Sequence, residues 1–358
     1  MLKKFEILSS ELSYEVFIGS DFVASHLSSF SNKCIVDQKV STLWGQLFEP
    51  GCILFEANEQ NKTFAGVEKI ISELRERGVA RANRISAIGG GIVQDVSTLS
   101  ASTYMRGIKW EYYPTTLLGM VDSCIGGKSS INVGEFKNLA GNFYPPEKVI
   151  IDTSFCRTLE EVQIIEGLFE ALKICYADSQ GTFQKYLSLI NLKTSLYDLD
   201  FIALVELSLL TKKRFIEEDE FDQGIRLLLN FGHTFGHAIE AATHFKVKHG
   251  VAVGLGILIA HNLSVVLGLI DESNQTAMKL IDHVKQLLVL VPELKTILSC
   301  VDPVVYINKF SADKKHTMDN YMAILFRSDG QLIRHSFDKS QKIDQLIVGS
   351  FMRMLESL

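Results

Sequence analysis

The stretch Ile88-Gly89-Gly90-Gly91-Ile92-Val93-Gln94-Asp95 follows the apolar run Arg84–Ile88, which has strand length, and opens a segment of helical character. Glycines at a strand-to-helix turn let the backbone approach a pyrophosphate, and the free N–H groups of the helix N-terminus favour its negative charge. A triple glycine also suits a plain tight turn, but its position at the carboxyl end of a strand favours nucleotide binding. The stretch therefore predicts an α/β domain with a dinucleotide site.

Short runs of strand length alternate with helical patterns on both sides of this turn. The runs are Lys33–Asp37, Ile53–Glu56, Trp110–Tyr113 and Val149–Asp152, and Thr63–Arg77 carries apolar residues at helical spacing. Strands that alternate with helices predict a doubly wound, mainly parallel sheet. We assign this nucleotide-binding α/β domain to residues 1–155.

Long apolar-periodic stretches replace the alternation from about Leu159 onwards. They run through Leu159–Asp178, Phe201–Glu217, Leu227–Thr243 and Val251–Leu269. This pattern predicts a mostly helical second domain over residues 156–358, which would bind metal and substrate. Near the C-terminus, two apolar runs flank Ser328-Asp329-Gly330, which predicts a hairpin.

Composition limits the classes of protein to which the chain can belong. Its 358 residues exceed the usual size of one core, and the 47% apolar content is ordinary for a globular protein. The net charge of −6 argues against a nucleic-acid partner. Six cysteines without a CxxC pair predict free thiols rather than a disulfide framework. The N-terminus has no signal-peptide pattern, and Val251–Ile270 is interpreted as a buried core helix rather than a membrane span, so cytoplasmic residence is expected.

Three histidines and one glutamate predict a metal site. His233 and His237 stand four apart and share a helix face, and His249 lies beyond a predicted helix break. With Glu170 upstream, two imidazole nitrogens and a carboxylate oxygen give the ligand set of a catalytic zinc site with one open position. Any one of these histidines alone is more often a packed or surface residue. The pattern leaves open whether His237 binds metal or substrate.

A second set of residues favours anion binding. Asp122–Lys128 and Phe136–Asn138 bring glycines, lysines and an amide together, which suits a phosphate. Arg226, Asn230 and His233 follow at intervals of about one helical turn, which predicts one helix face. Each of these residues also has a plainer interpretation. Lys137 and Lys212 could be solvated lysines, and Arg226 could form a surface ion pair with Glu218 or Asp222. Asp37 could accept from a ribose hydroxyl, or it could be an ordinary turn residue.

Several separated motifs together resemble 3-dehydroquinate synthase and its sugar phosphate cyclase relatives, over roughly residues 55 to 260. The motifs are Gly89–Asp95, Tyr104–Gly107, Pro114–Leu118, Val121–Lys128, Lys137-Asn138, Glu170–Lys173 and Asn230–Glu240, with a looser likeness at Asp313-Lys314-Lys315. The resemblance implies NAD⁺ and one divalent metal ion, zinc or cobalt, as cofactors. It also implies a small sugar phosphate as substrate and a homodimer, and the net charge and the interpretation of Val251–Ile270 as a core helix lead us to expect no nucleic-acid or membrane partner.

The resemblance further implies a role for individual residues. The implied metal ligands are Glu170, His233 and His249. The implied catalytic residues are Asp122, Lys128, Lys173 and His237. The implied substrate-binding residues are Lys128, Asn138, Lys212, Arg226, Asn230, His237 and Arg106, the last lent by the partner subunit. The implied NAD⁺-binding residues are Asp37, Glu59, Lys62, Gly90, Gly91, Asp95, Thr115, Thr116, Leu118 and Lys137.

The reaction implied by the resemblance converts a 3-deoxy-heptulosonate 7-phosphate into 3-dehydroquinate and phosphate, a step of the shikimate pathway of aromatic amino acid biosynthesis. It proceeds by transient oxidation with NAD⁺, phosphate elimination, re-reduction and intramolecular aldol closure. Lys212 and Arg226 match residues that grip the substrate carboxylate. An α-keto acid phosphate is therefore expected in preference to a neutral sugar phosphate.

Departures from the family pattern leave alternatives open. Gln94 stands where the family usually has glycine, Val251 stands where glutamate is usual, and Val96–Leu99 and Arg157–Glu160 also differ. One alternative is a divergent cyclase of an accessory pathway, of amino-dehydroquinate or sedoheptulose 7-phosphate type. The others are an NAD- and metal-dependent polyol dehydrogenase and a non-catalytic relative.

Overall fold

The computed structural model describes residues 2–10, 12–23, 33–48, 51–134 and 136–358. The chain forms two compact units, of which the first, the sheet unit, comprises Met1–Gly167 and Leu199–Glu220. The second, the helical unit, comprises Leu168–Asp198 and Phe221–Leu358. Each unit combines segments that are distant in sequence. The functional division into residues 1–155 and 156–358 stays a prediction.

A mainly parallel sheet forms the core of the sheet unit. The strands of this unit are β1 Lys3–Ile7, β2 Tyr14–Gly19, β3 Cys34–Asp37, β4 Ile53–Phe55, β5 Arg84–Gly89, β6 Lys109–Pro114, β7 Ile131–Val133, β8 Phe136–Ala140 and β9 Lys148–Asp152. In the described ranges, seven of them form one sheet in the order β1-β2-β9-β6-β5-β3-β4, and within it the β1–β2 pair is antiparallel. β7 and β8 form a separate antiparallel hairpin. The predicted doubly wound sheet is confirmed.

Helices make up most of the remainder of the chain. They are α1 Gln38–Leu43, α2 Phe64–Glu76, α3 Gly91–Thr103, α4 Glu161–Ala177, α5 Thr182–Leu189, α6 Phe201–Glu218, α7 His233–Ala242, α8 His249–Val266, α9 Gln275–Val289, α10 Leu294–Ser299, α11 Pro303–Ser311 and α12 Gln341–Ser357. The predicted C-terminal hairpin is also confirmed, since β10 Asn320–Phe326 pairs antiparallel with β11 Leu332–Asp338.

Strand β5 and helix α3 carry the glycine turn. β5 is buried along its length after Arg84, because β3 and β6 pair with it on either side and a central parallel strand is covered on both faces. The strand ends at Gly89, Gly90 occupies the N-cap position, and α3 begins at Gly91. The predicted strand–glycine–helix arrangement is therefore confirmed.

Helix α8 is the core helix of the helical unit. It is apolar all round and buried along most of its length, as expected for a helix enclosed by other elements. By length and composition it is the one helix of the described residues that could cross a membrane, yet 78% of that apolar window is buried inside the protein. The interpretation of Val251–Ile270 as a buried core helix is confirmed.

Helices α7 and α8 approach each other closely at glycine positions. A Cβ atom on Gly256 would lie 2.0 Å from the carbonyl oxygen of Gly232 and 2.9 Å from the backbone nitrogen of Gly236. Backbone atoms cannot yield as a flexible side chain can, so this crossing requires glycine. The close packing brings the first residues of both helices, His233 and His249, near each other.

The prediction that Arg226, Asn230 and His233 share one helix face is wrong. Ile225–Asn230 forms a 3-10 turn, and α7 begins only at His233. Gly232, between the two segments, has a left-handed backbone with φ of +77°. Such a residue ends one helical segment and redirects the chain before the next.

The expectation of free thiols is wrong for one pair of cysteines. Cys34 and Cys52 form a disulfide in the sheet unit. The parallel pairing of β3 with β4 sets Ile35 opposite Ile53, which brings Cys34 and Cys52 side by side. The remaining cysteines are free, with Cys124, Cys156 and Cys175 buried and Cys300 exposed.

Candidate active site

The helical unit gathers the predicted metal ligands at one point. Glu170 lies on α4, and His233 and His249 begin α7 and α8. Glu170 Oε1 is 3.7 Å from His233 Nε2 and 3.4 Å from His249 Nε2, and the three candidate ligand atoms all lie within 4.8 Å of one another. Bonds of about 2.0–2.1 Å in a tetrahedral zinc site separate neighbouring ligand atoms by roughly 3.3 Å. The three side chains are therefore spaced as such a site requires.

Both imidazoles are held in the orientation that a metal needs. The Nδ1 atom of His233 is 3.2 Å from the carbonyl oxygen of Phe231, and the Nδ1 atom of His249 is 3.1 Å from Glu240 Oε1. An Nδ1–H that donates to such an acceptor leaves the Nε2 lone pair free for a cation. Each ring thus has one nitrogen engaged behind it and one nitrogen facing Glu170.

Glu170 itself provides the test of whether a cation fits. Its side chain is 1% exposed, and Oε2 contacts the ammonium of Lys173. Oε1 has no hydrogen-bond partner among the described residues, although a buried carboxylate oxygen normally has one. A divalent cation between Oε1 and the two Nε2 atoms would satisfy it, so the donor set fits zinc or cobalt.

Burial and the charges around the site favour the neutral, unprotonated form of His233. Burial lowers the pKa of His233 well below its ordinary value, and the neighbouring ammonium groups of Lys173 and Lys315 lower it further. Burial also disfavours protonation of His249, but Glu240 and Glu170 outweigh it and raise the pKa of His249 well above its ordinary value. A cation in the same place would replace the proton that these carboxylates attract.

His237 lies beside the three ligands but is engaged differently. Its ring centroid is 5.5 Å from that of His233 and 6.0 Å from that of His249. Its Nδ1 atom is 3.1 Å from Asp313 Oδ2. A second group that could hold a metal consists of His237, Glu240 and His249. In that group Glu240 already accepts from His249, whereas Glu170 Oε1 accepts no hydrogen bond from the described residues and faces both Nε2 atoms, which favours the first group.

Lys315 and Asp313 also belong to this cluster, although no role was predicted for either residue. The Nζ atom of Lys315 is buried with no hydrogen-bond partner in the described part of the chain. Burial lowers the pKa of Lys315 to about 8 despite the opposing charge of Asp313. Burial alone would raise the pKa of Asp313. The hydrogen bond from His237 and the charge of Lys315 outweigh burial and lower the pKa of Asp313 to about 2. The sequence signal that could have revealed both residues is the motif Asp313-Lys314-Lys315, because a lysine whose ammonium is buried, as that of Lys315 is, needs an anion.

In the sheet unit, the structure brings five of the ten predicted NAD⁺ residues, Gly90, Gly91, Thr115, Thr116 and Leu118, to the ends of β5 and β6. Gly90 and Gly91 begin α3, and a Cβ atom on Gly90 would lie 3.0 Å from Thr116 Cγ2. The N–H of Thr115 donates to the carbonyl of Gly89 at 3.1 Å. Leu118 follows in the same segment. This places free backbone N–H groups of a helix N-terminus beside a tight glycine turn, as an anion requires.

A charged group lies next to this turn. The ammonium of Lys62 is 2.7 Å from Asp95 Oδ2 and donates to Asn138 Oδ1 at 2.8 Å. Lys137 pairs with Glu59 at 3.3 Å, and 30% of its side chain is exposed. Burial raises the pKa of Asp95, and Lys62 offsets only part of that effect.

Asp37 stands apart from that charged group, at the end of β3. Its carboxylate accepts from the N–H of Lys39 at 2.9 Å and so caps α1. This is the capping contact expected of a turn aspartate.

Asp122 and Lys212 form a buried pair in the sheet unit. The ammonium of Lys212 is 2.5 Å from Asp122 Oδ1, 2.6 Å from the Asp122 carbonyl and 3.2 Å from the Ile125 carbonyl. These contacts occupy all three of its donors. With 7% of its surface exposed, Lys212 does not fit a solvated lysine. It anchors the turn that carries Asp122.

The remaining predicted residues have varied surroundings. Lys128 Nζ lies 5.9 Å from the centroid of the Phe143 ring. Arg226 is 3% exposed, which excludes the interpretation as a surface ion pair, and the Asn230 amide donates to the Leu227 carbonyl at 3.1 Å. Arg106 is exposed on a turn in which it has φ of +64°.

Comparison with known proteins agrees with these features. A family model described as 3-dehydroquinate synthase N-terminal matches residues 52–166, and one described as 3-dehydroquinate synthase C-terminal matches residues 167–316. The chain belongs to the 3-dehydroquinate synthase family. The resemblance inferred from separated motifs is thereby confirmed.

Individual members of the family align over most of their length. The 3-dehydroquinate synthase of Dictyoglomus thermophilum is 37% identical over 274 residues, which span 73% of this chain and 76% of that relative. That of Dictyoglomus turgidum is 39% identical over 288 residues, 79% of this chain and 78% of the relative. The crystal structure of 2-deoxy-scyllo-inosose synthase with carbaglucose-6-phosphate, NAD⁺ and Co²⁺ superposes with a TM-score of 0.81 at 23% identity, covering 97% of this chain and 100% of that chain. This last likeness supports the fold.

Proposed function

We propose that the chain is a 3-dehydroquinate synthase, which converts a 3-deoxy-heptulosonate 7-phosphate into 3-dehydroquinate and inorganic phosphate. The observation that carries the proposal is the unpartnered Glu170 Oε1 that faces the Nε2 atoms of His233 and His249, in a chain of this family. The overall reaction involves no net oxidation, so NAD⁺ acts catalytically and no NADH accumulates.

We also propose which residues bind the two cofactors. When bound, NAD⁺ supplies a reversible hydride acceptor, and the zinc or cobalt ion supplies a Lewis acid. Glu170, His233 and His249 hold the ion. NAD⁺ is held by Asp37, Glu59, Lys62, Gly90, Gly91, Asp95, Thr115, Thr116, Leu118 and Lys137.

In the helical unit, the chain's own residues bind and orient the substrate. His237 keeps its Nδ1 on Asp313, which leaves Nε2 to contact a phosphate oxygen or a proton in transit. Asn230 offers an amide to the same class of oxygen. Lys315 joins these residues, because its buried ammonium has no acceptor among the described residues and a phosphate would supply one. Lys173, held against Glu170, donates to substrate hydroxyl oxygens.

In the sheet unit, Asp122 orients a substrate hydroxyl, and Lys128 and Asn138 bind phosphate oxygens. Asp122 can do this because Lys212 fixes its carboxylate from behind. A substrate carboxylate can reach Lys212 only by replacing one of its three acceptors.

Arg226 is therefore the main determinant of an acid substrate. This residue is 3% exposed, and the planar fork of an arginine matches the two oxygens of a carboxylate. This favours a 3-deoxy-heptulosonate over a neutral sugar phosphate. Arg226→Ala should lower kcat/KM for the acid by the equivalent of about 2–5 kcal/mol. The matched control is Arg334→Ala, an exposed arginine of β11, which should leave kcat/KM unchanged.

A phosphate-release assay tests the function. With 3-deoxy-D-arabino-heptulosonate 7-phosphate, phosphate should appear only when NAD⁺ and Zn²⁺ or Co²⁺ are present, and chelation should abolish it. Sedoheptulose 7-phosphate should give none. Reaction with the neutral sugar alone would refute the acid substrate, and steady NADH formation from glycerol would indicate a dehydrogenase instead.

The proposal also includes the oligomeric state and the cellular location of the enzyme. It is a homodimer in which Arg106 is lent to the partner subunit, and it acts in the cytoplasm on a small-molecule substrate in aromatic amino acid biosynthesis. The exposed, left-handed Arg106 supports this role, since a residue other than glycine is held in that backbone region mostly at functional sites.

A further inference from the structure

Asn132 on β7 has no role in the proposed function, yet it lies at the centre of a hydrogen-bonded network. Its Oδ1 accepts from the backbone N–H of Asn138 at 3.0 Å. Its Nδ2 donates to Glu59 Oε2 at 2.9 Å and to the Glu59 carbonyl at 3.2 Å. Its own backbone N–H donates to the carbonyl of Lys62 at 2.8 Å. With 8% of its surface exposed, Asn132 is a buried connector of three segments.

The network continues through charged groups. The Lys62 ammonium contacts both Asp95 Oδ2 and Asn138 Oδ1, and Asp95 Oδ1 accepts from the N–H of Ser130 at 2.8 Å. Glu59 also pairs with Lys137. Four of the residues proposed to bind NAD⁺, Glu59, Lys62, Asp95 and Lys137, and one of those proposed to bind substrate phosphate, Asn138, are therefore members of one hydrogen-bonded unit.

The conformation of Asn138 depends on this unit. Asn138 has a left-handed backbone with φ of +53°, a region that residues other than glycine seldom adopt. Its N–H donates to Asn132, and its side chain accepts from Lys62, so both contacts help to hold it there. Any ligand that reorients Glu59 or Lys62 therefore acts on the same bonds that aim the Asn138 amide.

We infer that Asn132 is a positioning residue that makes NAD⁺ binding and phosphate binding cooperative. The inference rests on the proposed function, which assigns Glu59 and Lys62 to NAD⁺ and Asn138 to phosphate. In this inference both ligands favour the same arrangement of these hydrogen bonds, so each raises the affinity for the other by the same factor. Asn132 contacts neither ligand, so its loss acts on this coupling.

Two variants separate the contacts of Asn132. Asn132→Asp has the same shape and keeps the acceptor for the Asn138 N–H, but it replaces the donor to Glu59 with a second carboxylate oxygen. Asn132→Ala removes both contacts. The matched control is Asn83→Asp, because Asn83 uses Oδ1 to accept from the Ala80 N–H at 2.8 Å in the turn before β5 and touches none of the network.

The measurement is the NAD⁺ dissociation constant by titration calorimetry, with and without saturating inorganic phosphate, on the metal-loaded protein. In the wild type and Asn83→Asp, phosphate should tighten NAD⁺ binding by about 5-fold or more, a typical coupling factor. In Asn132→Ala this ratio should fall to about one. In Asn132→Asp, NAD⁺ binding alone should weaken more than phosphate binding alone, because Glu59 is repelled while Asn138 stays held.

Circular dichroism tests whether each variant is folded. If Asn132→Ala is not folded, the measurements on Asn132→Asp decide whether Asn132 has the inferred role. Wild-type coupling in both variants, or no coupling in the wild type, would overturn the role of Asn132 and leave the proposed function intact. A wild type that binds neither NAD⁺ nor phosphate would instead refute the proposed function. The split between KM and kcat is a second readout, since lost positioning raises KM for substrate more than it lowers kcat.

Discussion

His249 lies between two carboxylates, and its two ring nitrogens have different surroundings. Nε2 faces Glu170 Oε1 at 3.4 Å, whereas Nδ1 is 3.1 Å from Glu240 Oε1. A carboxylate behind a metal-binding imidazole fixes the ring and its tautomer and makes the free nitrogen a stronger ligand. Glu240 therefore supports metal binding through His249 without being a ligand of the preferred group.

Glu240→Gln should weaken metal binding. The amide still fills the space but no longer carries the charge that strengthens His249 as a ligand, so the affinity for Zn²⁺ should fall about 10- to 100-fold. Competition with a chromophoric chelator measures this affinity without reference to turnover. The matched control is Glu272→Gln, an exposed glutamate of the same unit. Equal affinity of the Glu240 variant and the wild type would show that Glu240 has no part in the site.

His283 should make the stability of the protein depend on pH. It is buried against Tyr186, and burial lowers the pKa of His283 from 6.5 to about 4. Above pH 6.5 the folded and unfolded chains both keep His283 neutral, so it has no effect there. As pH falls from 6.5 towards 4, the unfolded chain binds a proton that the folded chain does not, and stability is lost.

The expected loss from His283 is about 2 kcal/mol at pH 5 relative to pH 7. His283→Gln should reduce the pH dependence of urea unfolding by that amount, whereas His244→Asn, at an exposed histidine, should not. Identical pH profiles for the wild type and the His283 variant would contradict the buried, neutral histidine.

The residues that could be predicted are those whose spacing carries information. His233 and His237 stand four apart, and His249 follows closely, so the cluster is visible in the sequence. Lys315 and Asp313 were missed as members of the site, because they reach the histidines only through packing of segments more than 60 residues apart. Pairing of strands likewise decides that Cys34 meets Cys52.

At the scale of elements, hydrophobic periodicity predicted β3, β4, β5, β6 and β9 of the sheet and the helices α4, α6 and α8, but it did not predict β1, β2, α9 or α12. The prediction failed between Arg226 and His233, where apolar spacing continues but the backbone does not. Gly232 adopts a left-handed φ there, and Gly256 packs against its carbonyl. Periodicity records which side chains are apolar, whereas this break follows from how closely two helices approach.

Gly256→Ala should therefore damage both stability and metal binding. Its Cβ would lie 2.0 Å from backbone, so α7 and α8 must move apart, and overpacking of this kind costs about 1–3 kcal/mol or more. Separation of the two helices also moves His233 away from His249. Denaturant unfolding measures the stability, and chelator competition measures the affinity for the metal. We expect both the stability and the affinity to decrease.

Gly349→Ala is the matched control for that substitution. Gly349 is also a helical glycine, within α12, but nothing lies within 4 Å of a Cβ placed on it. Alanine there should stabilise the protein by about 0.5–1 kcal/mol, because it restricts the unfolded chain and favours the helix. If Gly256→Ala behaved in the same way, the close helix contact would not constrain the metal site.

At the scale of the whole molecule, charge is distributed unevenly. The chain carries a net charge of −6, yet Lys62, Lys173, Lys212 and Arg226 are buried. Lys62, Lys173 and Lys212 each pair with a carboxylate of the chain, so positive charge is concentrated in small buried groups and does not give a general affinity for polyanions.

The proposed homodimer gives a test that involves the entire assembly. If Arg106 serves the partner's site, a mixed dimer of one Arg106→Asn subunit and one Glu170→Gln subunit contains one complete site. That site combines the intact Glu170 of the first subunit with the partner's Arg106. Asparagine is chosen because it tolerates the left-handed backbone at this position. Each variant alone should be nearly inactive.

Random mixing of the two subunits should restore roughly a quarter of the wild-type sites, because about half of all dimers are mixed and each has one working site. Two different affinity tags allow the mixed dimers to be purified, and their phosphate release per dimer should be about half that of the wild type. If Arg106 served its own subunit instead, neither site of a mixed dimer would be complete. Purified mixed dimers would then be as inactive as their parents, and the lent arginine would be refuted.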